Sequence, residues 1–125
     1  MRTFVKNPTM ICNVEVVNDI IEAVERVQNG DTIARFEWGD SMQPILCHGE
    51  YGIISPVNPN DVQIGDAVLC KVNGYLMTHM VVLKSNSAHG DKPYFLIGST
   101  SYDIYGWTSD IYGIVKGTNI FESED

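Results

Sequence analysis

The chain is poor in basic residues and contains neither a long apolar run nor a closely spaced cysteine pair. Eight Lys and Arg residues stand against sixteen Asp and Glu residues, which gives a formal net charge of −8. This charge repels a phosphate backbone, and no basic cluster offsets it locally. The sequence therefore predicts no nucleic-acid partner.

Signals for membranes, export and metal binding are also missing. No run of about 18 apolar residues occurs, so no membrane span is expected, and residues 1–8 lack the apolar stretch of a signal peptide. Cys12, Cys47 and Cys70 are odd in number, which favours free thiols in a reducing compartment. Cys47 and His48 are adjacent, and adjacent side chains rarely converge on one ion. We expect a cytoplasmic protein with no metal and no cofactor, and leave its oligomeric state open.

Length and apolar content predict a single domain covering residues 1–125. A chain of 125 residues can bury about two-thirds of its unfolded surface, so it needs no disulfide or metal to fold. Hydrophobic residues make up 44% of the chain, which is typical of globular proteins. Within the domain we expect a helix at about 14–29 and a β region at about 32–121.

One helical period occurs near the N-terminus. Its apolar positions, spaced by three and four residues, are Val16, Val17, Ile20, Ile21, Val24 and Val27. The pattern predicts an amphipathic helix with Asn13 or Asn18 as its N-cap and Asn29-Gly30 as its stop. Its apolar stripe packs on the sheet of the domain or docks on a partner.

The residues after Asp31 are typical of short strands and turns. The predicted strands span 32–38, 51–55, 67–72, 75–83, 94–97 and 111–116. Asn73-Gly74 favours a two-residue hairpin turn, because a type I′ turn needs two positive φ values. The sequence therefore predicts a mainly β protein of several short strands with one N-terminal amphipathic helix.

A candidate nucleophile follows the strand predicted at 32–38. Residues 39–44 read G-D-S-M-Q-P, in which Gly39 permits a sharp turn and Pro44 rigidifies its exit. Such a turn can expose the Ser41 hydroxyl and leave the amides of Asp40 and Ser41 free to stabilise an oxyanion. The stretch is equally ordinary turn composition, in which Asp40 hydrogen-bonds turn amides.

A serine hydroxyl becomes a strong nucleophile only when a base removes its proton. His48 and His89 lie in polar turns and are expected to be solvated, whereas His79 lies within the apolar strand at 75–83. Burial there would lower the pKa of His79 and keep it neutral, the state that a general base requires. A hydrogen-bonded histidine at the edge of the core is the alternative interpretation.

These motifs occur in an order that resembles one known superfamily. The order is G-x-S-M-x-P at 39–44, then Gly49-Glu50, Gly65-Asp66, a hairpin and Thr78-His79-Met80-Val81. From about residue 32 to residue 117 the chain resembles the signal peptidase and LexA-type serine peptidases. The resemblance implies their twisted β fold, with Ser41 as the nucleophile. It also implies His79 as the base, where endoplasmic-reticulum and archaeal signal peptidases carry a histidine.

The resemblance also implies a group that orients His79. Family members often have Gly-Asp and further acidic residues after the strand at 94–97, and this chain has serine in place of the first acid. Asp103 is then the candidate third member, with the hydroxyls of Ser99 and Ser101 as alternatives. Met80 stands where an arginine is usual, so an ion pair of the family is not expected.

The remaining site residues are expected around Ser41. The amide of Ser41, with that of Asp40 or Met42, would hold the oxyanion. Phe36, Met42 and Ile45 would line the pocket for an extended peptide that adds beside a strand.

These expectations favour a soluble serine endopeptidase acting on a peptide or protein substrate, of the kind that a phage or mobile element encodes. Self-cleavage is not expected, because the chain contains no Ala-Gly or Cys-Gly pair and no room for a DNA-binding domain. Secretory signal peptidase activity is not expected without a membrane anchor. The alternative is a catalytically inactive peptidase-like module that binds a protein partner.

Overall fold

A computed structural model of the chain describes residues 14–36, 51–86, 92–101 and 103–119. Within these ranges the chain forms one eight-stranded mixed sheet, one α-helix and one short 3₁₀ turn. The predicted mainly β class with one N-terminal helix is confirmed.

The strands follow one another in the sheet in an order different from their order in the chain. The elements are β1 (Glu15–Val16), α1 (Ile20–Gln28), β2 (Ile33–Phe36), β3 (Tyr51–Pro56), the 3₁₀ turn (Pro59–Asp61), β4 (Ala67–Val72), β5 (Tyr75–Ser85), β6 (Tyr94–Gly98), β7 (Ile104–Thr108) and β8 (Ile111–Asn119). The spatial order is β1-β2-β3-β8-β4-β5-β6-β7. The β1–β2 pair is parallel and every other pair is antiparallel.

The helix is shorter than the predicted range 14–29, and neither predicted N-cap is used. It begins at Ile20 with Asp19 as its N-cap, and the Asp19 carboxylate accepts a hydrogen bond of 2.9 Å from the Ile21 amide. Asn18 precedes this cap, and Asn13 lies outside the described residues. A carboxylate at the N-cap satisfies amides that have no partner within the helix, so the helix begins at this position.

The residues just before the helix form an edge strand. Glu15 and Val16 pair with Ile33 and Ala34 of β2, and the Val17 amide donates to the Ala34 carbonyl at 2.8 Å. The helical spacing of these residues was therefore misleading. Pairing with a strand distant in sequence satisfies their backbone groups instead.

The C-terminal end of the helix is as predicted. The Asn29 amide donates to the Glu25 carbonyl at 3.0 Å, and the Gly30 amide donates to the Val27 carbonyl at 3.0 Å. Gly30 has a φ of 99°, in the left-handed region that favours glycine.

Apolar side chains cover both faces of the sheet. The cluster beneath α1 contains Val17, Ala23, Val24, Val27, Ile33, Ile54 and Leu69. The cluster on the opposite face contains Val62, Val68, Cys70, Val72, Val81, Phe95, Ile97 and Ile111. Alternate residues of β4 belong to different clusters because side chains of a strand point to opposite faces. Packing of the helical stripe on the sheet of the domain is thus confirmed for Val24 and Val27, while Ile21 stays exposed.

The hairpin between β4 and β5 forms at the predicted place. Asn73 and Gly74 have φ values of 51° and 88°, and Val72 pairs with Tyr75 across the turn. β4 has the predicted bounds, and β5 continues two residues beyond its predicted end, to Ser85.

The sequence did not predict β7. It pairs with β6 across a register shift between Ile97 and Gly98, which breaks the alternation that identifies strands. β7 is last in the strand order, yet the Thr108 hydroxyl donates to the Lys71 carbonyl of β4 at 2.6 Å. The sheet therefore curls, and β7 lies against β4 and its hairpin.

Within the residues that the structure describes, no helix combines the length and the apolar content needed to cross a membrane. α1, the helix in question, has nine residues.

Candidate active site

The structure describes part of the predicted catalytic set. His79 lies on β5, and Ser99, Ser101 and Asp103 lie between β6 and β7. Phe36 is the last residue of β2 and pairs with Tyr51, the first residue of β3. The other predicted site residues, Asp40, Ser41, Met42 and Ile45, lie outside the described residues. They belong to the segment 37–50, which connects two paired strand ends.

His79 occupies the middle of β5 on the face opposite α1. Its register partner is Val68 of β4, and Val81, two residues along the same strand, is fully buried. The imidazole lies beside the ring of Tyr105, with 4.5 Å between the centroids and 33° between the planes. His79 is thus a half-buried residue between an apolar cluster and β7.

Burial sets the protonation state of His79. It lowers the pKa of the imidazole below its ordinary value of 6.5, and the negative charge of Asp103 acts in the opposite direction. Burial prevails because the charged imidazolium loses hydration. The ring is therefore neutral at pH 7, and a neutral imidazole can accept a proton.

The surroundings of Nδ1 limit how Asp103 can act on His79. Nδ1 is buried and, in the described part of the chain, has no hydrogen-bond partner. Asp103 therefore acts on His79 here through its charge and not through a hydrogen bond to Nδ1.

The Ser99 hydroxyl organises the turn between β6 and β7. It shares a hydrogen bond of 3.0 Å with the Ser101 hydroxyl and accepts from the amides of Ser101 and Asp103, each at 3.2 Å. The Ser99 amide donates to the Asp103 carbonyl at 2.9 Å. These bonds stay within the turn. Ser99 thereby fixes the backbone of Asp103, whose charge acts on His79.

The turn also requires the glycine that precedes it. A Cβ at Gly98 would lie 2.6 Å from the Asp103 carbonyl oxygen and 2.9 Å from Cγ2 of Val82. Gly98 pairs with Met80, the neighbour of His79. The close approach at Gly98 thus helps to keep Asp103 beside the histidine strand.

Gly65-Asp66, which belongs to the motif order of the resemblance, is a turn that leads into β4. Gly65 has a φ of 96°, and the Asp66 carboxylate accepts from the Gln63 amide at 2.8 Å. The backbones of Gly65 and Asp66 each bond to Val81 at 2.8 Å. The turn extends the ladder beside His79 and supports its strand.

Tyr105 is the residue at this site that the sequence did not indicate. It lies in a five-residue strand whose alternation is broken by a bulge, so no periodic signal marked its facing. The only sequence signal was an aromatic residue two positions after Asp103, and such a signal does not specify contact with β5.

The described residues offer no competing thiol or metal chemistry. Burial raises the pKa of Cys70 to about 12, so its thiol is protonated at neutral pH and is a poor nucleophile. No group of three His, Cys, Asp or Glu side chains that could hold a metal ion occurs among the described residues.

No protein-family model matches the chain, and no relative is found among the curated proteins. The likeness to the signal peptidase and LexA-type peptidases therefore rests on the motifs of the sequence.

Proposed function

We propose that the protein is a serine endopeptidase of the signal peptidase and LexA type, in which His79 activates Ser41. The observation that carries the proposal is the state of His79, a half-buried imidazole whose pKa is lowered by burial. A general base must be neutral at the working pH. The G-D-S-M-Q-P motif supplies the serine, and the order of the motifs along the chain pairs it with this histidine.

The proposed reaction proceeds by acyl transfer. The Ser41 Oγ attacks the carbonyl carbon of the scissile bond, and its proton passes to the imidazole of His79. The amide of Ser41, with that of Asp40 or Met42, stabilises the oxyanion. His79 then donates the proton to the leaving amine, and a water molecule hydrolyses the acyl-enzyme with the same base.

Asp103 supports this reaction electrostatically. Its charge favours the imidazolium that forms when Ser41 loses its proton, consistent with its opposite effect to burial on the pKa of His79. The Ser99 hydroxyl holds the Asp103 amide at 3.2 Å and so acts indirectly. The substrate is an extended peptide pairing beside a strand, with Phe36, Met42 and Ile45 as pocket residues.

One observation favours the rival function, a catalytically inactive module that binds a protein. Leu83, Leu96 and Trp107 form a row across β5, β6 and β7, since Leu96 is the register partner of both other residues. Leu83 and Trp107 are each 48% exposed, and Tyr94 and Ile104 on neighbouring positions are also exposed. An exposed apolar group of this kind is typical of contact surfaces.

A covalent probe tests the catalytic proposal without knowledge of the substrate. A fluorophosphonate forms an Oγ–P bond with an activated serine, releases fluoride and transfers the hydroxyl proton to the base. We expect intact mass and peptide mapping to show one adduct on Ser41 in the wild type. Ser41→Ala should abolish the adduct, and His79→Gln should slow its formation at least about 100-fold.

The matched controls are Ser85→Ala, an exposed serine at the end of β5, and His89→Gln, which lies outside the described residues. Both should label at the wild-type rate. A peptide-library digest read by mass spectrometry then gives the cleavage preference with the same variants. Wild-type protein that neither labels on Ser41 nor cleaves any peptide would contradict the enzyme and favour the binding module.

A further inference from the structure

The imidazole of His79 contacts an aromatic ring, and one of its nitrogens has no hydrogen bond. Nδ1 is buried and has no hydrogen-bond partner among the described residues. The Tyr105 ring lies 4.5 Å from the imidazole centroid and is tilted by 33°. Offset and tilted aromatic pairs of this spacing are attractive, so the contact restricts rotation of the histidine side chain.

The backbone of Tyr105 is itself held in place. The Asn73 side-chain amide donates to the Tyr105 carbonyl at 3.1 Å. Asn73 has a φ of 51° in the tight turn between β4 and β5, so its own position is fixed by that turn. Tyr105 is therefore connected to the hairpin that carries His79.

The next residue allows β7 to approach this hairpin closely. Gly106 has a φ of 144°, and a Cβ there would lie 3.0 Å from both Val72 Cγ1 and Asn73 Nδ2. A larger residue would push β7 away from the hairpin. Tyr105 is thus placed by two features of the β4–β5 hairpin, a side-chain hydrogen bond from Asn73 and the close approach of β7 at Gly106.

We propose that Tyr105 is the positioning residue of His79, and that its ring holds the imidazole where a hydrogen bond to Nδ1 would otherwise do so. The catalytic consequence rests on the proposed function, because only a base that must meet Ser41 needs a fixed rotamer. The hydroxyl of Tyr105 has no part in this role. Phenylalanine should therefore replace tyrosine, whereas an aliphatic residue should not.

Nuclear magnetic resonance of the histidine Cε1–Hε1 groups tests the contact itself. The His79 signal is assigned by its loss in His79→Gln. The Tyr105 ring current should displace this signal in the wild type and in Tyr105→Phe, and Tyr105→Leu should move it towards the position of a solvated histidine. Tyr94→Leu, which changes an exposed tyrosine of β6, is the matched control and should leave the signal in place.

A second variant provides the test if Tyr105→Leu does not fold. Asn73→Gly keeps a residue that favours positive φ and removes the amide that holds the Tyr105 carbonyl. It should move the His79 signal in the same direction as Tyr105→Leu. A His79 signal that stays unchanged in a folded Tyr105→Leu protein, or in Asn73→Gly if the former does not fold, overturns the proposal.

The labelling rate of Ser41 distinguishes this proposal from the proposed function. Tyr105→Leu should lower the rate about 10-fold or more, since misplacing a catalytic group is costly, and Tyr105→Phe should restore it. If the wild type does not label, the enzyme proposal fails, yet the resonance experiment still decides whether Tyr105 holds His79. A third outcome is that the wild type labels and the His79 signal moves in Tyr105→Leu, but both proteins react with the probe equally fast. In that case the positioning role of Tyr105 in catalysis is wrong.

Discussion

Gly113 of β8 lies directly beneath Val27 of α1, at a separation that leaves no room for a side chain. A Cβ at position 113 would be 2.8 Å from Val27 Cγ1, 2.8 Å from Ile54 Cγ2 and 2.9 Å from the Ser55 carbonyl oxygen. Backbone and buried side chains surround this position, so no flexible group can give way. The absence of a side chain at 113 therefore sets how closely the helix packs on the sheet.

Gly113→Ala should destabilise the protein through this contact. We expect the free energy of unfolding to fall by about 1–3 kcal/mol, the usual cost of overpacking a core, measured by urea denaturation. Adding Val27→Ala removes one of the three close contacts, so the double variant should lose less stability than the sum of the two single variants. Additive losses would show that Val27 does not limit the approach.

Acid should weaken the fold through His79. Because the pKa of His79 is lower in the folded protein than the ordinary 6.5, the unfolded chain binds more protons between these two values. The stability associated with neutral His79 is present above pH 6.5 and is lost as the pH falls through 6.5 towards the folded-state pKa. Urea denaturation across about pH 7 to pH 5 measures this loss.

His79→Gln isolates the contribution of the histidine from that of other titrating groups. The variant cannot gain a proton at this position. As the pH falls, the free energy of unfolding should therefore decrease more in the wild type than in the variant. A difference that is constant with pH would mean that His79 has the same pKa in both states.

Asp103→Asn should lower the pKa of His79 further. The Asp103 carboxylate favours the imidazolium, and its replacement by a neutral amide leaves burial unopposed. A pH titration of the His79 Cε1–Hε1 signal measures the change. Asp110→Asn is the matched control, an exposed acid in the turn before β8, and it should leave the midpoint unchanged. A higher midpoint in Asp103→Asn would contradict the proposed electrostatics.

Cys70 should resist alkylation as long as the protein is folded. Its side chain is fully buried, and burial raises its pKa to about 12, so it forms almost no thiolate at neutral pH. Iodoacetamide treatment at pH 7.5, followed by peptide mapping, should modify Cys70 only after urea is added. Modification of Cys70 at similar rates with and without urea would show that the cluster opposite α1 opens readily.

The elements best predicted from the sequence are those specified by local chemistry. Asn73-Gly74 specified the hairpin because few residue pairs adopt two positive φ values. Gly30 specified the end of α1 because glycine readily adopts the positive φ that this position has. The apolar run at 75–83 specified the strand that carries His79, and the imidazole suggested the chemistry of this residue.

Features that depend on distant pairing were decided by the tertiary structure. Glu15–Val16 has helical spacing, but it pairs with β2 because that pairing satisfies its backbone. β7 forms around a bulge and has no periodic signal. The contact between Tyr105 and His79 exists because the sheet curls and brings β7 back to the β4–β5 hairpin. There the Asn73 side chain bonds to the Tyr105 carbonyl, and the missing side chain of Gly106 permits the close approach. The sequence by itself was sufficient to place the hairpin turn and to put His79 on the strand that follows it. Which residue His79 contacts depends on tertiary packing, because strand register and sheet curvature are properties of the whole sheet.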